Sequence, residues 1–177
     1  MHISLSINAA LVLLLCIASA FDIAQRRIPN RLVATGLVMA FGLHAISGES
    51  LSLLTLWLGG CATGLVLFLP LHLLRAMAAG DVKLMMMVGA FCGPDMTVEI
   101  SLATYIAGGV MALCIVVARG KARQAISNII TLLRPFVWRL IGVQLAVERG
   151  TQTSVGSMPY GVAITAGALV VLWLRQA

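Results

Sequence analysis

Charge is what this sequence has least of. Only 10% of its 177 residues are charged and 60% are hydrophobic, whereas a soluble domain carries roughly 25% charged residues. With a mean hydropathy of +1.03, the chain cannot cover a water-facing surface, which excludes an ordinary soluble enzyme. Closely spaced cysteines are missing too. Cys16, Cys61, Cys92 and Cys114 stand singly in apolar stretches with no C-x-x-C pair, so the spacing of a thiolate zinc site is absent. Small-residue packing is the expected role of all four. His2, His44 and His72 are equally scattered, and neither a metal nor any other cofactor is expected.

What is present is a series of long apolar runs: Leu5–Phe21, Leu32–Ile46, Leu51–Leu74, Ala76–Cys92, Ile100–Ala118 and Tyr160–Leu174. A bilayer-crossing helix takes about 20 mainly apolar residues, within a range of roughly 17–25. Leu32–Ile46 and Tyr160–Leu174 need their flanks to reach that length. The pattern predicts an all-α, polytopic membrane protein: six transmembrane helices in one bundle, a single domain over residues 1–177 and no separate soluble domain. The first run is not read as a cleaved signal peptide, although Ala18-Ser-Ala20 resembles a cleavage site. It has no basic residue before it, and Asp22 and Arg26 follow it directly.

The basic residues give an orientation. Eleven of the twelve Lys and Arg residues fall after the first run, between the third and fourth, or between the fifth and sixth; only Arg175 lies elsewhere. If every run crosses, those eleven share one face, and positive loops stay in the cytoplasm. Both termini are then outside, with Glu49, Asp95 and Glu99 in outer loops. The net charge of +6 follows from topology, and no nucleic-acid partner is needed to account for it. In the long connection 119–150, Ile126, Ile129, Ile130, Leu133, Phe136, Val137 and Leu140 recur at helical spacing among Arg123, Arg134 and Arg139. That is the pattern of a basic amphipathic segment in the cytoplasmic headgroup layer, with Trp138 at the interface and a break at Pro135.

Three acidic residues remain; Glu148 lies in the polar end of the long connection, which leaves two carboxylates beside apolar helix ends. Asp22 closes the first run on the cytoplasmic side. Asp81 follows Arg75 by six residues, about 9 Å along a helix, so both lie near one depth. Each has a structural counterpart reading. Asp22 pairs with Arg26 one turn on, worth a few tenths of a kcal/mol. Asp81 is a favourable first-turn charge, with Lys83 snorkelling to the headgroups. Taken together these readings account less well for the pair, because ionisable residues inside a membrane usually mark function. Gly80, lacking a side chain, leaves room beside Asp81 for another backbone or a substrate.

Three blocks then carry a resemblance: Phe21-Asp-Ile-Ala-Gln-Arg-Arg-Ile-Pro-Asn30, Ala78-Ala-Gly-Asp-Val-Lys-Leu84 and Met158-Pro-Tyr-Gly-Val-Ala-Ile164. In order and in topology the chain resembles the bacterial type IV prepilin peptidases, the intramembrane aspartic proteases with a Gly-x-Gly-Asp motif. It is most similar to the short forms that serve Flp-type, tight-adherence pili. Ala78 stands at the motif's first glycine. The cysteine-bearing cytoplasmic domain that accompanies N-methylation in the larger members is missing, so the resemblance implies peptidase activity alone.

The resemblance implies Asp22 and Asp81 as the catalytic pair, with Gly80, Lys83 and Asn30 as supporting motif residues. Asn30 is expected to cap or position the loop after the first helix, and Pro159-Tyr160-Gly161 to shape the rim. Lys83 either orients the substrate or anchors at the interface, with anchoring preferred. Two close carboxylates share one proton, which suffices for water attack on a peptide carbonyl without metal or covalent intermediate. The implied substrate is a prepilin or pseudopilin, a basic leader on a hydrophobic helix, entering from the lipid of the inner membrane and cut at its cytoplasmic face. Two other classes remain open: a proton-coupled transporter, and a non-catalytic membrane subunit of a pilus-assembly machine.

Overall fold

The structure is a computed structural model that describes residues 2–46, 53–74, 76–120 and 158–176. All regular structure among the described residues is helical: α1 (His2–Gln25), α2 (Asn30–Ile46), α3 (Leu53–Leu73), α4 (Ala79–Ala118) and α5 (Tyr160–Gln176). Two compact units result, residues 1–109 with 159–177, and residues 110–158. The candidate site lies in the first. Of the second, the described residues are Met158 and the end of α4, closed by Gly120 in the left-handed conformation (φ 61°), its N–H bonded to the Val117 carbonyl at 3.0 Å. Residues 121–150, where the amphipathic segment is expected, lie outside the described residues.

Three helical stretches are long and apolar enough to cross a membrane: Ser6–Gln25, Leu53–Leu73 and Ala79–Ala118. Asn30–Ile46 and Tyr160–Arg175 are apolar but shorter. The six expected runs thus appear as five helices, because the fourth and fifth are joined at a single residue. Gly93 (φ 73°, ψ 175°) interrupts α4, and the arms on either side, over residues 79–92 and 94–109, run in opposite directions along α3. On the first arm, Met85 lies against Gly64 and Gly93 against Gly60. On the second, Pro94 lies against Gly59, while the Tyr105 hydroxyl donates to the Leu67 carbonyl at 2.7 Å. The chain therefore turns back at Gly93, a conformation that L-residues with a side chain avoid.

The expected outer loop at Asp95 and Glu99 is corrected accordingly. Both residues are helical, in the first turns of the second arm. Pro94 fits the start of a helix, where its missing N–H has no partner to lose, and acidic residues favour that end. Glu99 pairs with Arg175 near the end of α5.

The first arm of α4 is the centre of its unit. Asp81, Val82, Leu84, Met85 and every residue from Met87 to Phe91 are buried, as expected of a helix that is apolar all round. Leu11, Leu15 and Ala18 of α1, Phe68 of α3, and Ile164 and Ala168 of α5 complete the core. Outward faces are apolar as well, with Val38, Leu58, Val66, Ile106 and Trp173 all more than half exposed. Cys61 is buried while Cys16 and Cys114 are exposed, so core packing describes Cys61 and not those two.

An apolar exterior gives little hydrophobic drive between helices in lipid, and close packing of small residues takes its place. Gly60 and Gly89 show this most directly: a methyl group on either would fall on the other's carbonyl. The break at Gly93 also leaves carbonyls at the end of the first arm without helical partners. One of them, Phe91, accepts from the His44 ring Nε2 at 3.1 Å.

Candidate active site

α1 ends just beyond Asp22. The Arg26 N–H bonds the Asp22 carbonyl at 3.0 Å, and Arg26 itself turns left-handed (φ 54°), ending the helix. Pro29 follows, and its carbonyl accepts the N–H groups of Leu32 (3.0 Å) and Val33 (3.4 Å) to start α2. Asp22 is therefore a carboxylate in the last turn of its own helix, where the dipole disfavours it. The compensation comes from the opposite end of the chain. The Gly161 N–H, in the first turn of α5, donates to Asp22 Oδ2 at 2.8 Å, and Asp22 is only 7% exposed.

Around this bond α1 and α5 are tied by hydroxyls. Ser19 Oγ and Thr165 Oγ1 are 2.6 Å apart. Thr165 donates to the carbonyls of Gly161 (2.9 Å) and Leu15 (3.2 Å), and Ser19 reaches the Gly161 carbonyl at 3.2 Å.

Asp81 is held by its own neighbourhood. Its Oδ2 accepts from the Ala78 N–H at 3.1 Å, and its N–H donates to the Ala78 carbonyl, also at 3.1 Å. The residue thus caps the N-terminus of α4, and it is 5% exposed. The preceding turn is braced from α3, where His72 Nδ1 donates to the Met77 carbonyl at 3.0 Å. Asp81 is within electrostatic reach of Asp22 and His72, and Tyr160 is within reach of Asp81. The two carboxylates, from α1 and α4, both lie near the start of α5.

The sequence blocks converge on this place. Ile28 of the first block lies against Gly80 of the second, and Asn30 Oδ1 accepts from Lys83 Nζ at 3.0 Å. Lys83 is thereby directed to α2, where the sequence favoured the headgroups. Asn30 is the first residue of α2 and uses its side chain on Lys83. Both also line a shallow apolar groove with Val33, Leu37 and Met86.

Gly80 has an ordinary helical backbone, and a methyl group there would meet Ile28 at 3.5 Å, a normal contact. Ala78 is also at negative φ, since Arg26 is the one non-glycine residue of positive φ among those described. Alanine at the motif's first glycine position therefore costs no backbone strain.

Gly161, Ser19, Thr165 and His72 were not singled out individually by the sequence. For Gly161 the signal existed, in the Pro-Tyr-Gly block. For Ser19 and Thr165 a hydroxyl among apolar helical neighbours is too common to stand out. Among the described residues no group of three or more His, Cys, Asp or Glu side chains is arranged to hold a metal ion.

No curated protein and no solved structure gave a match to the chain. Residues 9–113 match the type IV leader peptidase family. That stretch is more than half of the chain and contains Asp22, Asn30, Gly80, Asp81 and Lys83, while α5 lies beyond it. With its apolar helices and this match, the protein is a membrane-embedded peptidase: it belongs to the type IV leader peptidase family.

Proposed function

We propose that this peptidase is an aspartic endopeptidase of the bacterial inner membrane. In this reading it removes the basic leader of type IV prepilins or pseudopilins, Flp-type substrates included, at the cytoplasmic face. The observation that carries it is that Asp22 and Asp81, on different helices, are both buried and within each other's electrostatic reach.

Buried together, the two are best neutralised by one shared proton. The ionised member takes a proton from water as that water attacks the scissile carbonyl, and the protonated member polarises the carbonyl oxygen. Collapse of the tetrahedral intermediate returns a proton to the leaving amine. The proton belongs to the pair, so roles are assigned to the dyad and not to either residue.

Asp22→Asn and Asp81→Asn, each at matched expression in membranes, are expected to leave a purified prepilin uncut, because neither carboxylate performs both proton transfers alone. Asn keeps the shape of each site, so helix capping survives while acid–base chemistry does not. Cleavage at the normal rate by either variant would discard the dyad, and would leave a non-catalytic assembly subunit or a proton carrier as the readings to pursue.

The proposed topology has six crossings with both termini outside, the arms of α4 counting as two. Supporting it are the opposed directions of those arms and the grouping of eleven basic residues. A reporter placed after Gly48 is expected outside and one after Lys121 in the cytoplasm; the reverse pattern would invert the site's membrane face.

A further inference from the structure

Gly161 occupies a helical position in which its conformation does not require glycine, for its φ is not positive. Alanine is the better helix former, so the residue is unexplained by the backbone alone. The space beside it supplies the reason. A methyl group built on Gly161 would stand 3.0 Å from Oδ2, 3.2 Å from Cβ and 3.4 Å from Cγ of Asp22, and these are its three nearest neighbours. The glycine allows the Asp22 carboxylate to lie against the start of α5 and to take up the Gly161 N–H.

Retreat of α5 is not an easy way to relieve such a clash. The Ser19–Thr165 contact, the Thr165 bond to the Leu15 carbonyl and the Ser19 bond to the Gly161 carbonyl fasten α5 to α1 on the same side. The carboxylate is the freer group, and rotation about its Cβ–Cγ bond would forfeit the N–H.

We infer that Gly161 is a positioning residue for Asp22: its main-chain N–H and its bare Cα together fix the carboxylate's orientation for peptide hydrolysis. The inference rests on the aspartic reading of the site. It also draws α5, which lies outside the stretch matched to the family, into the working part of the enzyme. The N-terminus of that helix supplies a donor whose partial positive charge favours an anion at this point.

The test uses the full-length protein in detergent with a purified prepilin as substrate, and compares Gly161→Ala, Asp22→Glu, Asp22→Asn, Asp81→Asn and Gly42→Ala. Gly42 has nothing within 4 Å of the added methyl and serves as the glycine control. A catalytic group misplaced by about 1 Å loses on the order of 100-fold in rate. Gly161→Ala is therefore expected to lower kcat by about that factor with KM unchanged, the pattern of an interaction used only in the transition state. Asp22→Glu keeps the carboxylate but drives it into Gly161, and is expected to lose kcat in the same way.

A second readout needs no activity. In protein labelled with 15N-glycine, the Gly161 amide proton is expected to move upfield in Asp22→Ala, as the hydrogen bond to the carboxylate is lost. Normal kcat for Gly161→Ala or Asp22→Glu, with both Asn variants inactive, overturns the positioning role and leaves the dyad standing. Normal cleavage by Asp22→Asn overturns both. An amide proton that does not move overturns the hydrogen bond itself, even if Gly161→Ala proves too unstable to assay.

Discussion

The two aspartates are held in opposite ways. Asp81 is fixed by a residue three positions before it, through a reciprocal pair of bonds with Ala78 that closes the first turn of α4. Asp22 is fixed by a residue 139 positions away, across the bundle. One corner of the site is made by local chain geometry, the other by the docking of two helices. Capping of a helix by its own acidic residue forms as the helix forms, whereas a carboxylate bound to another helix's N-terminus exists only when tertiary structure does. Within the proposed dyad, one member is secured by secondary structure and the other reports the assembly of the fold.

Substitutions that remove the side chains should separate these cases, with unfolding followed by helix signal during SDS titration of mixed micelles. The largest loss is expected for Asp22→Ala, which strands a buried N–H and removes a hydrogen bond to a charged group, worth about 1.5–3 kcal/mol. Asp81→Ala removes a helix cap and is expected to cost about 1 kcal/mol. Equal losses would erase the contrast between a local and a tertiary hold. Thr165→Val keeps the shape at the α1–α5 contact and removes its hydroxyl, for an expected loss of about 1 kcal/mol. Its effect should be additive with Asp81→Ala and non-additive with Asp22→Ala, since only the latter shares the same helix contact. The smallest effect belongs to Gly80→Ala. The added methyl meets Ile28 at a normal distance, so stability should hold or rise by less than about 1 kcal/mol. A large loss there would mean that Gly80 is needed for a backbone approach after all.

The same division decides what could be read from the sequence. The helices were legible because apolar runs of bilayer length leave few alternatives, and Asp81 was legible because its surroundings are its sequence neighbours. The shared depth expected for Asp22 and Asp81 came from counting six residues on from Arg75, and the fold brings the two within electrostatic reach of each other. What holds Asp22 was not legible, since nothing local in Phe21-Asp-Ile-Ala marks Gly161 as its partner. The Asn30 partner of Lys83 was not legible for a related reason: only the docking of α2 on α4 brings the two side chains within reach. The turn at Gly93 was expected to be a loop because Asp95 and Glu99 fall between two apolar runs. In the fold a glycine at positive φ followed by proline reverses the chain in one residue, and the acidic side chains become the start of the next helical arm.

The contact between Gly60 and Gly89 has a consequence for motion. Helices separated by a layer of side chains can slide, because rotamers on both surfaces readjust as they pass. α3 and the first arm of α4 meet main chain against main chain at this point, with no such layer to yield. Displacing one along the other would require the backbones to part before they could shift. The two therefore travel as one rigid body, and Asp81 with His72 travels on it. On the proposed reading, a substrate helix is admitted by elements that meet through side chains, against a jaw in which Asp81 stays with α3.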